Sequence, residues 1–303
     1  MDSKTDILST IAYFDLFHYP VMEKEIYFFL PHPVSPALFE SALEELVAEE
    51  LIFAFEGYYT IRNDKGLVQR RKKGNHLAAE MLGTARKVAA LLVRFPFVRG
   101  VGISGSLSKH YADEGSDIDL FIITARNRLW IARTILHMVK KLSFLIHREH
   151  WFCMNYFVDE EALEIPEKNI YTAIEIVTLI PMQGIQAFSD FESANAWTEG
   201  MLPNSYGRLI LSGNERTSIL KRVAEKLLAG VSGMRLEDWL MRLTAERWLK
   251  MTESGKKNNR GVIMSLEAKS HSARPAPGDY QEGLLQAYEQ KVTEVLGKLR
   301  QPF

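Results

Sequence analysis

The sequence predicts a mixed α/β (α+β) protein in three parts, and three observations carry that prediction. Residues 1–68 show helical apolar spacing that ends in a short strand-turn-strand pattern. Residues 75–205 alternate apolar strand segments with amphipathic helices, the pattern of a small mixed sheet covered by helices. Residues 206–303 return to helical periodicity, interrupted near 252–278 by a stretch rich in Gly, Ser, Asn and Pro.

Bulk properties narrow the function classes. A chain of 303 residues with 47% hydrophobic content can bury a sizeable core and divide into two or three domains. Its net charge of −1 exerts no bulk attraction on nucleic acid or membrane. The single cysteine, Cys153, leaves no disulfide and fits a reducing compartment. Residues 1–6 lack an apolar signal core, and no later run reaches the length of a membrane span, so the expectation is a cytoplasmic protein without membrane contact.

In the first unit, Ile7, Leu8, Ile11, Phe14 and Phe17 have helical spacing, and residues 23–30 suit a second helix. Ser35 followed by Pro36 reads as an N-cap with proline at the first helical position, opening a third helix lined by Leu38, Ala42, Leu43, Leu46 and Val47. Residues 51–55, a Glu56-Gly57 turn and residues 58–62 complete a hairpin. Three helices and a hairpin resemble a winged helix-turn-helix, whose third helix would enter the major groove. Here that helix carries Glu40, Glu44, Glu45, Glu49 and Glu50 without a Lys or Arg, which phosphates would repel. The expectation is therefore a packing or protein-contact role, not DNA reading.

Arg70, Arg71, Lys72, Lys73 and Gly74 read as a solvated linker or helix start, with contact to a phosphate as the alternative. A helix over 77–93 then leads into an apolar strand at 98–104. Gly105 allows a tight turn, and residues 106–108 open a short helix whose free N–H groups suit a phosphate, with the Ser106 hydroxyl and the Lys109 ammonium beside it. After a polar loop, Asp117 and Asp119 flank Ile118 at the start of a second apolar strand. At i and i+2 their carboxylates share a face roughly 6–7 Å apart. They repel by roughly 2–3 kcal/mol at an effective dielectric of about 20, a penalty that a divalent cation removes. Phosphates and metal meeting between two strands suit in-line nucleotidyl or phosphoryl transfer.

Gly105-Ser106, ten residues, then Asp117-Ile118-Asp119-Leu120 resembles the signature of the DNA polymerase β-like nucleotidyltransferase superfamily. Lys109 stands where many small members have Arg, Ser116 before Asp117 also looks like the family, and His110 departs from a common glycine. The resemblance implies the nucleotidyltransferase fold over roughly residues 75–205. It implies Mg²⁺ (or Mn²⁺) held by Asp117 and Asp119, and NTP phosphates on Gly105, Ser106, Lys109 and Ser116. It also implies a third carboxylate on a later strand, as metal ligand or base. The strand at 151–158 has Asn155 as its central polar residue, and an amide can ligate a metal but cannot take a proton. Asp159, Glu160, Glu161 and Glu149 are the candidate substitutes.

A long helix over 128–146 joins the Asp-bearing strand to the Asn155 strand. Residues 170–179, 190–197, 216–228, 236–251 and 279–300 read as helices, with a break at Leu202-Pro203-Asn204. By the resemblance, the C-terminal helices form a second wall of the nucleotide cleft. The stretch 252–278, with Lys256, Lys257, Arg260, Lys269, His271 and Arg274, reads as a long mobile loop, either a lid over a triphosphate or a connector. His147 and His150 have no nearby Cys and do not make a zinc site, while His18, His32 and His76 sit near element ends. No Ser-His-Asp set or Walker lysine loop is present.

The leading expectation is an enzyme that moves a nucleotidyl group from an NTP to a small-molecule or protein acceptor, with Asp117, Asp119 and Asn155 at its centre. The rival is a catalytically degenerate nucleotide-binding or regulatory protein. A DNA-binding regulator stands third.

Overall fold

The computed structural model describes residues 2–146, 149–205, 218–255, 266–275 and 278–299. Its class is mixed α/β, with two sheets and helices on both sides of the larger one. Asp2 caps α1 (Ser3–Asp15) by accepting from the Lys4 N–H. There follow β1 (Val21–Met22), α2 (Glu23–Phe28) and α3 (Pro36–Ala48), with Ser35 accepting from Leu38 N–H as the expected cap. β2 (Phe53–Phe55) and β3 (Tyr58–Thr60) form a hairpin. Its turn residues Glu56 and Gly57 both have positive φ, 53° and 82°, which matches the twist of the flanking strands. The sequence expectation lacks β1, since two residues are too few to show alternation. It pairs with β3 to make the order β1-β3-β2.

The apolar face of these helices is closed by later parts of the chain. Ile7, Leu8, Ile11, Phe14, Ile26, Leu43 and Leu46 share a core with Ala173, Ile174, Leu202 and Val295.

Residues 70–74, which the sequence reads as a solvated linker or helix start, lie within the early turns of α4 (Lys65–Leu92), which is capped by Asp64. Arg70 pairs with Asp113 at 2.8 Å, Lys73 with Glu114 at 2.6 Å, and Lys72 with Glu56. Arg71 is buried, with its guanidinium 3.5 Å from the Tyr19 ring centroid and hydrogen bonds to Glu25 and Asn75. Distant acids therefore neutralise what looks in sequence like a basic run. Gly74 does not break the helix, and a Cβ there would meet the Tyr111 ring at 2.2 Å.

The larger sheet is built from β4 (Val98–Ile103), then α5 (Gly105–Ser108), β5 (Asp119–Thr124), α6 (Leu129–Ser143) and β6 (Cys153–Asp159). α7 (Ile170–Val177), β7 (Ile180–Gln183), α8 (Ile185–Ala194) and α9 (Trp197–Met201) follow. Past them lie α10 (Ile219–Leu227), α11 (Val231–Glu253), β8 (Leu266–Ala268), β9 (Ser272–Pro275) and α12 (Gly278–Leu299). The strand order is β7-β4-β5-β6-β9-β8, with β5 and β6 parallel and the other neighbours antiparallel. Alternation along β5 divides the core. Leu120 and Ile122 pack with α4 and α6 on one face, while Phe121 and Ile123 meet Phe188 and Phe191 of α8 on the other.

Three more sequence expectations change. The helix expected at 190–197 becomes α8 and α9, broken near Asn195, which caps Ile165 N–H. β7 is an edge strand, which accommodates Pro181. The expected loop 252–278 contributes β8 and β9 to the sheet, and its described cations are paired with acids. Buried Arg274 binds Glu167 and Glu267, His271 binds Asp159, and Lys269 binds Glu267. Lys256, Lys257 and Arg260 lie outside the described residues, as does His147. Among the described residues, no helix is long and apolar enough to cross a membrane.

Candidate functional site

The candidate site lies where β4 ends, β5 begins and β6 runs alongside. Ser104 N–H donates to the Asp119 carbonyl at 3.0 Å, which holds the end of β4 against the start of β5. Gly105 then turns with φ +69°, and a Cβ on it would lie 2.7 Å from Asp119 Oδ2. Only glycine meets both demands, the left-handed backbone and the close approach to a carboxylate. Ser106 is exposed at this turn, while its carbonyl accepts from Lys109 and Tyr111 N–H groups.

Asn155 reaches the same place through a bulge. Leu120 pairs with Met154 and Phe121 with Tyr156, so Asn155 is the extra residue on β6. A bulge re-aims a side chain, and here Asn155 Nδ2 donates to Asp119 Oδ1 while its Oδ1 accepts from the Cys153 thiol at 3.2 Å. The site thus holds Asp119, Asn155 and Gly105 together as the sequence led us to expect. Asp117 differs from that expectation in one respect: β5 begins at Asp119, so Asp117 sits in the approach to the strand, half-buried, rather than on its ladder. Its charge still bears on this centre, because burial together with Asp119 and Asp117 pushes the Cys153 thiol up to about 12.

Two of the expected phosphate contacts are otherwise engaged. Lys109 Nζ forms an ion pair with Glu175 at 2.6 Å and also donates to the Gly105 carbonyl at 3.2 Å. Ser116 Oγ accepts from Asp113 N–H at 2.9 Å and so closes the turn before β5. The proposed substitute bases at 159–161 are excluded by register. Asp119 pairs with Cys153 but Asp159 with Thr124, five residues further along, about 16 Å away. Asp159 is instead buried as an acceptor for Asn127 and Glu161 N–H groups and a partner of His271. The side chain of Glu149 lies outside the described residues.

The α7 wall was missed by sequence reasoning. Tyr171 and Glu175 share a helix face, and the Tyr171 phenol is pushed far above its usual range by burial, by Glu175, by Tyr280 of α12 and by Asp119. Tyr280 is exposed, with its ring centroid 6.3 Å from that of Tyr171. Their i,i+4 spacing was visible in sequence, but nothing local says that this face looks at Asp119. The N-terminal unit also touches the site, since Tyr19 O–H donates to the Lys109 carbonyl at 2.6 Å.

Among the described residues, no group of three or more His, Cys, Asp and Glu side chains is arranged to hold a metal. The donor chemistry nevertheless fits Mg²⁺ or Mn²⁺, which bind one or two carboxylates and complete their shells with water and phosphate oxygens. Burial and the two aspartates keep the Cys153 thiol protonated at neutral pH. Comparisons of this chain with known protein families, curated proteins and solved structures give no match.

Proposed function

We propose that this protein binds an NTP with Mg²⁺ or Mn²⁺ at the β4–β5 turn and transfers the nucleotidyl group to a small-molecule or protein acceptor, as a nucleotidyltransferase of the polymerase β-like kind. One observation carries the reading: the Gly105 backbone closes over the Asp119 carboxylate, beside Asn155 from the adjoining parallel strand. A bound cation would supply charge stabilisation for the phosphate oxygens and acidify an attacking hydroxyl. Asp117 and Asp119 would hold it. Asn155 orients the Asp119 carboxylate, Ser106 offers its exposed hydroxyl, and Lys109, tied to Glu175, fixes the turn.

A second reading, nucleotide binding without turnover, is favoured by the amide of Asn155, which cannot accept a proton. DNA recognition is not part of the proposal, because Glu40, Glu44 and Glu45 are exposed on α3.

Thermal unfolding with each of four NTPs and MnCl₂, combined with a pyrophosphate-release assay, tests these readings. A ligand at about a hundred times its Kd adds roughly 2.7 kcal/mol, or about 5 °C in a chain of this size. Asp117→Asn and Asp119→Asn are expected to abolish that rise. Pyrophosphate release that depends on an acceptor supports transfer, and a rise without release supports the second reading. No rise in the unaltered protein overturns both.

A further inference from the structure

Basic side chains that pack into this fold are matched by acids, as Arg71 is by Glu25, Arg99 by Glu225, Lys109 by Glu175 and Arg274 by Glu167, or by backbone carbonyls, as Arg128 is by Leu228 and Ala229 and Lys221 by Val93 and Val98. The surface where α11 packs on α6 breaks that rule. Arg133, His137, Lys140 and Lys141 lie at i, i+4, i+7 and i+8 along α6, and therefore on one side of the helix. Arg247 and Trp248 belong to α11. Arg133 places its guanidinium 4.4 Å from the Trp248 centroid, 5.5 Å from Trp130 and 6.0 Å from Phe157 of β6. Aromatic faces satisfy the flat faces of a guanidinium but leave its five N–H donors, which lie in the plane, without acceptors.

Two groups at this seam are poorly provided for. Arg133 is half-buried against three aromatic rings, and among the described residues it has no carboxylate partner. His137 Nε2 is buried without a hydrogen-bond partner. Buried charges are normally paired and buried polar atoms bonded, because desolvation otherwise goes uncompensated. Lys140 and Lys141 have a local reason to be at the C-terminal end of α6, where the helix dipole favours cations. That reason does not extend to Arg133, four residues into the helix, or to Arg247 across the interface.

We propose that the basic seam between α6 and α11 is a binding site for a phosphate-bearing anion, held by Arg133, Lys140, Lys141 and Arg247 with His137 Nε2 donating a hydrogen bond. Four fixed positive charges contributed by two helices suit a multiply charged tetrahedral anion, and a guanidinium can meet two of its oxygens at once. At neutral pH the imidazole carries no charge, since burial and those same four cations push it down to about 3. A neutral imidazole still has one N–H to donate. The inference does not depend on the nucleotidyl-transfer reading, because none of these residues is a proposed metal or phosphate ligand there, although the Lys140 charge reaches the Cys153 thiol beside Asp119.

Calorimetric titration with inorganic tripolyphosphate in EDTA, at fixed ionic strength, tests the proposal without any metal at the aspartates. The unaltered protein is expected to bind, and Lys140→Gln with Arg247→Gln to weaken binding about tenfold or more. Arg247 is exposed and Lys140 half-buried near the end of α6, so these changes disturb the fold less than Arg133→Gln, tested alongside. Asp119→Asn is expected to bind as the unaltered protein does, which separates this site from the proposed nucleotide site. Titration with a single-stranded RNA oligomer distinguishes the source of the phosphate. Absent tripolyphosphate binding, or affinity equal in the Lys140/Arg247 variant, overturns the proposal, as does RNA binding in the absence of tripolyphosphate binding.

Discussion

Replacing Asn155 by aspartate tests the geometry of the candidate site with a single atom exchange. Asn155 Nδ2 donates to Asp119 Oδ1, so Asn155→Asp sets two carboxylate oxygens about 3 Å apart. Their repulsion is about 1.4 kcal/mol at the dielectric of water and about 5.5 kcal/mol at an effective value of 20. Asn155 is exposed and Asp119 half-buried, which places the pair near the lower end, at about 2 kcal/mol. Loss of the hydrogen bond adds about 1 kcal/mol. Urea unfolding in EDTA at pH 7.5 should therefore show the variant about 3 kcal/mol less stable at unchanged slope. The penalty shrinks on acidification. The folded pair holds one proton more readily than two separate unfolded carboxyls do, so the native state binds more protons and its stability falls as pH rises through that range. MnCl₂ should restore the loss, because three acidic ligands hold the cation better than two. An Asn155→Asp protein as stable as its parent in EDTA would refute the placement of Asn155 against Asp119.

Three further outcomes are expected. Gly105→Ala should cost about 2–3 kcal/mol through its left-handed backbone and the Asp119 clash, but only about 1 kcal/mol in an Asp119→Ala background, as a double-mutant cycle by urea unfolding would show. Arg71→Met should cost about 3 kcal/mol in the same assay, because half-buried Glu25 loses the buried cation that neutralises it. In buffers free of polyvalent anions, His137 should cost about 1.5 kcal/mol of stability as pH falls from 6.5 to 5. It protonates in the unfolded chain near 6.5 but in the folded protein only near 3, so the unfolded state gains protons first. His137→Gln should flatten that part of the stability profile measured by thermal unfolding.

What could be read from the chain was local. Ser35-Pro36 announces α3 because a cap and a φ-restricted residue act on their own neighbours, and the Glu56-Gly57 turn follows from glycine's freedom at positive φ. The Gly105-Ser106 turn and the apolar flanks of Asp119 were legible for the same reason, as were the strands on either side. Asn155 could be singled out as the polar residue of its strand, but its face depends on a bulge, and a bulge is set by pairing with β5. Cations proved the least legible. Arg71, Lys109 and Arg274 read as mobile or phosphate-seeking charges until Glu25, Glu175 and Glu167 arrive from elsewhere in the chain, between roughly 46 and 107 residues away. β1, β7, β8 and β9 each have at most four residues and exist because a longer neighbour supplies their hydrogen bonds. Sequence alone therefore determined the propensities, caps and turns and the chemical kind of each side chain. Tertiary structure decided which charges face each other and which short segments become strands, because Coulomb pairing and ladder hydrogen bonds depend on distance in space, which sequence separation does not record.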